Sequence, residues 1–294
     1  MSAVALLNPM AHFAHNGKSF HFASRFMPAS ERARIGALYS YCRLTDDLVD
    51  EAGDAAPAEV HARLDDWLLR SRQAYAGEPS GNAVVDRVMT DMRETGVSFQ
   101  YADDLIAGMR MDIDPAEFRD LKDLRVYTYR VAGVIGVWLT ELYGIDDPWM
   151  LDRAATLGHA MQLTNIVRDV GDDWRRGRVY LPTSLMRSYG LTRDDLGAMY
   201  RGGAGSVTFA YRAVMEALMT TADVYYESAF EAMPFLPATF RRSVAIAAEV
   251  YRGIHGEVRR VGYDTISRRA HTTLGQKMLL GARGLGRLRA APAA

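Results

Sequence analysis

Residues 39–50 read YSYCRLTDDLVD, and their spacing decides the fold class. A helical residue turns by about 100°, so Tyr39, Arg43, Asp46 and Asp50 fall within a stripe about 60° wide. Ile35 and Leu38 give the neighbouring face an apolar character. The polar stripe therefore points inward, where it is costly unless it meets opposite charge. A second stretch, 162–173, reads QLTNIVRDVGDD and repeats the arrangement. Gln162, Asn165, Asp169 and Asp173 share nearly the same stripe, with Arg168 beside it. Elsewhere apolar residues recur at three and four, as in Leu64, Trp67 and Leu68. Prolines at 28, 57, 79, 115, 148, 182 and 234/237 fall between segments of about 20–40 residues. Sustained alternation of period two is hard to find. The chain is expected to be all-α.

Capping chemistry predicts a helix over 30–51 with Ser30 as N-cap, another from Pro148 to about 171, and a third starting at Thr192. The run 172–190 reads as a charged, irregular connection. Residues 1–15 read as a flexible N-terminus, 16–280 as one domain, and 281–294 as a frayed basic tail.

The whole sequence has 294 residues, 49% hydrophobic and 24% charged, with a net charge of −1. That is enough for a large core, and it excludes a disordered or low-complexity chain. No global field recruits nucleic acid. A single cysteine, Cys42, excludes an intramolecular disulfide and a multi-thiolate metal site. Lys18, Lys122 and Lys277 are the only lysines, so basic chemistry rests on arginine forks, which suit planar anions. No secretory signal and no spanning stretch is evident, which leads us to expect a cytoplasmic protein, with loose contact at the inner membrane face allowed by apolar ligands.

Oxygen-only ligands suit a hard cation such as Mg²⁺. Two facing carboxylate clusters repel one another unless cations lie between them. Those cations would hold an anion, and the interleaved arginines would grip it as well. The pattern points to diphosphate with several magnesium ions. One Asp pair alone is more often a cap or a solvated face. Two matching stripes, both flanked by apolar periodicity, reverse that balance.

At these residues the chain resembles the head-to-head trans-isoprenyl diphosphate synthases, the squalene/phytoene synthase family. The strings that carry the likeness are LYSYCRLTDDLVDE (38–51), YRVAGVIG (129–136), MQLTNIVRDVGDDWRRGRVYLP (161–182), EVYRGI (249–254) and RRAHTTLGQKMLL (268–280). The resemblance implies an isoprenoid-synthase helical bundle around a central apolar cavity. It implies Mg²⁺, with Mn²⁺ as a substitute, held by Asp46, Asp50, Asn165, Asp169 and Asp173. It implies diphosphate contacts from Arg43, Arg168 and Arg269, and substrate-lining roles for Ser19, Tyr39, Gln162 and Tyr251. Tyr129 is implied as a catalytic aromatic that steadies a cation, with Tyr251 assisting.

The reaction implied joins two identical allylic diphosphates through a cyclopropylcarbinyl diphosphate. Ser24 and Gly36 are small at positions implied to floor the cavity. This favours two geranylgeranyl diphosphates and a C40 product, phytoene, over two farnesyl diphosphates and a presqualene, squalene or diapophytoene product. No NADPH is expected, and no protein partner is indicated. Gly133 and Gly136 read equally well as close packing or as a kink. Cys42 reads as a core filler, His159 as structural, and the arginines over 175–178 as closing on phosphate. Asp112 receives no role.

Overall fold

Proline and glycine punctuation divides the chain into helices much as its periodicity predicts. The computed structural model describes residues 18–114, 117–203 and 205–290, the side chains of 18–20 and 290 excepted. The first half contains α1 (Lys18–Ser24), α2 (Ala29–Asp50), α3 (Pro57–Ala76), α4 (Ala83–Thr95), α5 (Gln100–Ile113) and α6 (Leu121–Thr128). A π-helical turn, Tyr129–Gly133, leads into α7 (Val134–Glu141) and then α8 (Pro148–Arg168). The second half contains α9 (Val170–Arg175), α10 (Thr183–Ser188), α11 (Arg193–Gly202), α12 (Phe209–Phe230), α13 (Ala238–Arg260) and α14 (Leu274–Ala290). No strand occurs among the described residues, so the fold is all-α as expected.

The central rod is α8, packed against α12, α13, α7 and the π turn. Its start is set by Pro148 in the first turn and by Asp147, whose side chain accepts from the Met150 N–H at 3.0 Å. Two glycines let the π segment and α7 approach it. A Cβ at Gly158 would lie 2.5 Å from the Ala132 oxygen, and one at Gly136 would lie 2.4 Å from the Ala154 oxygen. A π-helical turn and close packing therefore coexist at 129–136. The rear of α8 is pinned by Thr164, whose hydroxyl meets the Tyr226 hydroxyl at 3.0 Å and the His255 ring at 2.9 Å. His159 bonds the Thr128 hydroxyl at 2.7 Å. Burial, with Arg125 adding to it, lowers the His159 pKa to about 4, so the ring stays neutral beside Thr128.

Two buried apolar cores form, one around α8, α12 and α13, the other around α2, α3, α4 and α5. Several apolar side chains of the bundle are only partly buried: Ile35, Tyr39, Cys42, Val131, Leu157 and Tyr251, of which Val131 packs against both cores. They keep some accessible surface, unlike the fully buried side chains of the two cores. Burial pushes the Cys42 thiol up to about 12, with Asp46 adding to the shift, so Cys42 is unreactive.

Four boundaries differ from the expectation. The first acidic helix begins at Ala29 after Pro28, and Ser30 does not cap it. The second acidic helix ends at Arg168 instead of continuing to about 171. The connection 172–190 is partly helical, through α9 and α10. Residues 281–290 are not frayed, because they continue α14 and pack along α13. Apolar residues such as Leu280 and Leu285, and Arg287 bound to buried Glu249 at 2.8 Å, hold that helix down. At Thr192 the capping box is as read, with the Thr192 N–H and hydroxyl both bonded to Asp195. The expected flexible segment 1–15 lies outside the described residues.

Candidate active site

The first acidic stripe lies on the last three turns of α2. Arg43 donates to Asp46 at 2.8 Å and pairs with Asp47 at 2.5 Å. One turn on, Asp50 accepts from Arg178 at 2.7 Å, with Arg176 at 3.4 Å. The second stripe is split between two helices. The Asp169 N–H still reaches the Asn165 carbonyl at 2.9 Å, but the Gly171 N–H donates to the Thr265 carbonyl at 3.0 Å. That diverted bond breaks the helix at Asp169 and starts α9, which carries Asp173.

Asp169 is held by arginines on two sides. Arg168 donates from Nε at 2.7 Å, and Arg269 donates at 2.7 and 3.1 Å. The Arg178 N–H donates to the Asp173 carbonyl at 2.9 Å, so the loop after α9 is tied to α9 while its side chain reaches α2. This strap sets the two acidic stripes against a shared gap. Asp112, at the end of α5, lies between them, and its charge acts on both Asp46 and Asp173.

The electrostatics follow from that crowding. Asp46 keeps 34% of its side chain accessible. Burial, with Asp50 adding to it, pushes its carboxyl up to about 7. Burial raises Asp173 to about 8, and Asp169 adds to this against Arg176 and Arg178. Asp112 is pushed up by burial to about 6, against the pull of Arg178 and of the Tyr180 and Tyr127 hydroxyls. For Asp169 burial also favours the neutral acid, but the bonds from Arg168 and Arg269 prevail and hold it below the usual carboxylate range.

Among the described residues no three His, Cys, Asp or Glu side chains are gathered into a ready metal cage. The acids are paired with arginines instead. Even so, the donor set suits a hard divalent cation. Oδ1 of Asn165 is buried with no hydrogen-bond partner, while its Nδ2 donates to Gln162 at 3.0 Å. A carbonyl oxygen left over beside Asp169 and Asp173 matches the chemistry of an oxygen ligand.

Most of the residues singled out from the sequence come together. Tyr251 hydrogen-bonds Arg168, and Tyr39 lies near Tyr251, Arg43 and Asp46. Tyr129 does not join the acids. It lies beside His159, with ring centroids 6.3 Å apart, and its charged neighbours are Asp104 and Glu141. The side chain of Ser19 lies outside the described residues. Ser24 and Gly36 are both buried.

Asp112, Tyr127 and Tyr180 carried no sequence assignment, and Arg178, expected to close on phosphate, instead reaches Asp50 at 2.7 Å. Arg178 is only 9% exposed. Asp112 accepts from Tyr180 at 2.6 Å and from Tyr127 at 3.1 Å, and those two rings stack at 4.8 Å. A carboxylate in the last turn of α5, after the apolar stretch Leu105–Met109, was a usable signal for this network.

Gly171 is what lets the 265–269 loop press on the site. A Cβ there would lie 2.0 Å from the Ile266 carbonyl oxygen, so backbone must shift. Gly171→Ala is expected to displace Arg269 from Asp169 and to lower kcat/KM by about 10²-fold. The overpacking should also destabilise by about 1–3 kcal/mol. Steady-state kinetics with a thermal melt check this, and wild-type kinetics would refute it.

The comparisons with known proteins agree with this geometry. A family model described as squalene/phytoene synthase matches residues 13–276. A phytoene synthase of Rhodobacter capsulatus is 37% identical over 263 residues, covering 89% of this chain and 75% of that protein. A 15-cis-phytoene synthase of Pantoea ananas is 35% identical over 291 residues, covering 95% and 91%. A ligand-bound dehydrosqualene synthase superposes with a TM-score of 0.85 at 28% identity, covering 98% of this chain and 97% of that one. A squalene synthase from Alicyclobacillus acidocaldarius, at TM-score 0.75 and 22% identity over 89% of this chain and 97% of that one, shares the fold.

Proposed function

The chain belongs to the squalene/phytoene synthase family, and on that premise we propose that it condenses two geranylgeranyl diphosphates head to head into phytoene. The product is formed by way of a cyclopropylcarbinyl diphosphate, with release of diphosphate, and belongs to carotenoid biosynthesis. Enzymes of this family use prenyl diphosphates and generally depend on a divalent cation. We assign that cation as Mg²⁺, held by Asp46, Asp50, Asn165, Asp169 and Asp173. When bound, it supplies charge stabilisation to the departing diphosphate. The observation that carries the reading is the convergence of α2 and α8–α9 on one gap, joined by the bond from Arg178 to Asp50 at 2.7 Å.

The chain's own groups divide the work. Arg43, Arg168 and Arg269 now rest on Asp46 and Asp169. They are placed to exchange those carboxylates for diphosphate oxygens, with fork geometry suited to the anion. Arg178 joins them from the strap. The partly buried apolar side chains of the bundle hold the prenyl tails and keep water from an allyl cation. Tyr39 and Tyr251 present aromatic surface near the ionising end of the substrate, where a cation is favoured. Tyr129, beside His159 and away from the acids, would act on the apolar part of the substrate. We place the protein in the cytoplasm, in peripheral contact with membrane; no helix among the described residues is long and apolar enough to cross one.

The buried small residues Ser24 and Gly36 leave depth for a C20 tail. Mass analysis of the hydrocarbon made from defined C15 and C20 diphosphates tests this. We expect a C40 product and at least about 10-fold preference for the C20 substrate, the scale on which a few methylenes discriminate. Preference for C15 would instead assign the farnesyl reaction.

A further inference from the structure

Read from the sequence, residues 281–294 are a basic tail, but the structure shows a two-sided helix over Leu274–Ala290. The inner side of α14 packs on α13 and α1: a Cβ at Gly281 would touch Ile246 and Phe22, and one at Gly284 would meet the Ala245 carbonyl. Arg287 is also inward, bonded to Glu249 at 2.8 Å and stacked 3.7 Å over Phe230. Arg283 leans on Glu249 at 3.3 Å. The outer side is different. Leu274, Met278 and Leu279 are 64%, 58% and 73% exposed. Gly275, Ala282 and Gly286 are exposed with them, and these residues share an arc about 140° wide. Exposed Arg289 lies within the arc, Arg283 borders it, and α14 contains no acidic residue.

Large apolar side chains gathered on one exposed helix face mark an interaction surface. A basic helix with such a face suits the boundary of a membrane rather than its interior. The position fits as well, because α14 begins five residues after Arg269, which touches Asp169 in the active site.

We propose that the outer face of α14 docks on an anionic lipid bilayer, bringing the Arg269 side of the active site to the membrane surface. The partner's chemistry follows from the surface: apolar side chains enter the acyl boundary, while Arg289, within the arc, meets anionic headgroups. The inference rests on the reading above for its purpose, since prenyl tails and a hydrocarbon product partition into lipid.

The test uses the full chain without substrate, in flotation with vesicles of phosphatidylcholine alone or mixed with phosphatidylglycerol. Wild type is expected to float with the anionic vesicles, less in high salt and less with neutral vesicles. The triple variant Leu274→Ser, Met278→Ser, Leu279→Ser is expected to lose about 10²-fold in vesicle affinity. Arg289→Glu should remove part of the salt-sensitive binding. Turnover of detergent-dispersed substrate should be unchanged in the triple variant, so a failure of docking is distinguishable from a failure of the catalytic assignment. The proposal is overturned if wild type stays with the unbound fraction, or if the triple variant floats like wild type. It is also overturned if the triple variant keeps its vesicle affinity while turning a dimer into a monomer in sedimentation, for the face would then join two copies of the chain.

Discussion

Asp46→Asn and Asp169→Asn are expected to lose turnover alike and to change stability in opposite directions. Each removes a charged oxygen from the shared gap, and the loss of turnover should be on the order of 10³-fold. The helical circular dichroism signal should persist in both, because neither side chain sits in an apolar core. The stability signs follow from the two environments. Asp46 is pushed up to about 7 by burial and Asp50, so near pH 8 its ionised form opposes folding. An amide resembles the neutral acid that the site prefers, so Asp46→Asn should raise the melting temperature in metal-free buffer at pH 8. Asp169 is the reverse case, held below the usual range by Arg168 and Arg269. Its carboxylate contributes stability above the unfolded-state pKa, and removing it leaves two arginines facing each other. Asp169→Asn should therefore melt lower than wild type, on the scale of breaking a largely buried pair. Turnover retained in both variants would take these residues out of diphosphate handling. Melting shifts of the same sign would contradict the electrostatic arrangement drawn here.

The helical class and the two acidic stripes were legible because both depend on periodicity alone. What escaped depends on contacts between distant segments. The break after Arg168 could not be read locally, since it is made by the bond from Gly171 to Thr265, nearly a hundred residues away. The same contact puts Arg269 on Asp169, a pairing that no spacing implies. The sequence groups Arg178 with its neighbours as closing on phosphate, and only the fold brings it to Asp50. Asp112 was passed over because a lone carboxylate has no periodic partner; its partners, Tyr127 and Tyr180, lie on other segments. The C-terminal arginines misled in the other direction. Read as a solvated tail, they include Arg287, which is committed to Glu249 and Phe230. Arginine stems pack as readily as they solvate, so charge alone did not separate a tail from a docked helix.

The response of the protein to Mg²⁺ should depend strongly on pH, and the sign is fixed by Asp46 and Asp173. Their folded pKa values are raised to about 7 and about 8, against an ordinary 3.8. Between pH 4 and pH 8 the folded chain therefore binds more protons at these sites than the unfolded chain does. Their contribution to stability is greatest at the acid end and is lost as pH rises through 7 and 8. In EDTA the melting temperature should thus fall between pH 6 and pH 8.5 on account of this pair, and turnover should cease. Cation binding needs both carboxylates ionised, so it releases protons and strengthens with pH. At a hundredfold excess over its dissociation constant, Mg²⁺ would add about 2.7 kcal/mol, or about 5 °C for a chain of this size. That increment is expected in full at pH 8.5, reduced to less than half at pH 6, with turnover restored. Titration calorimetry in buffers of different ionisation enthalpy should register the released protons, and Asp46→Asn should remove its share of them. An Mg²⁺ increment equal at both pH values, with no proton release, would mean that the raised carboxylates are not the ligands. The divalent dependence would then have to be met by Asp50, Asn165 and Asp169 without them.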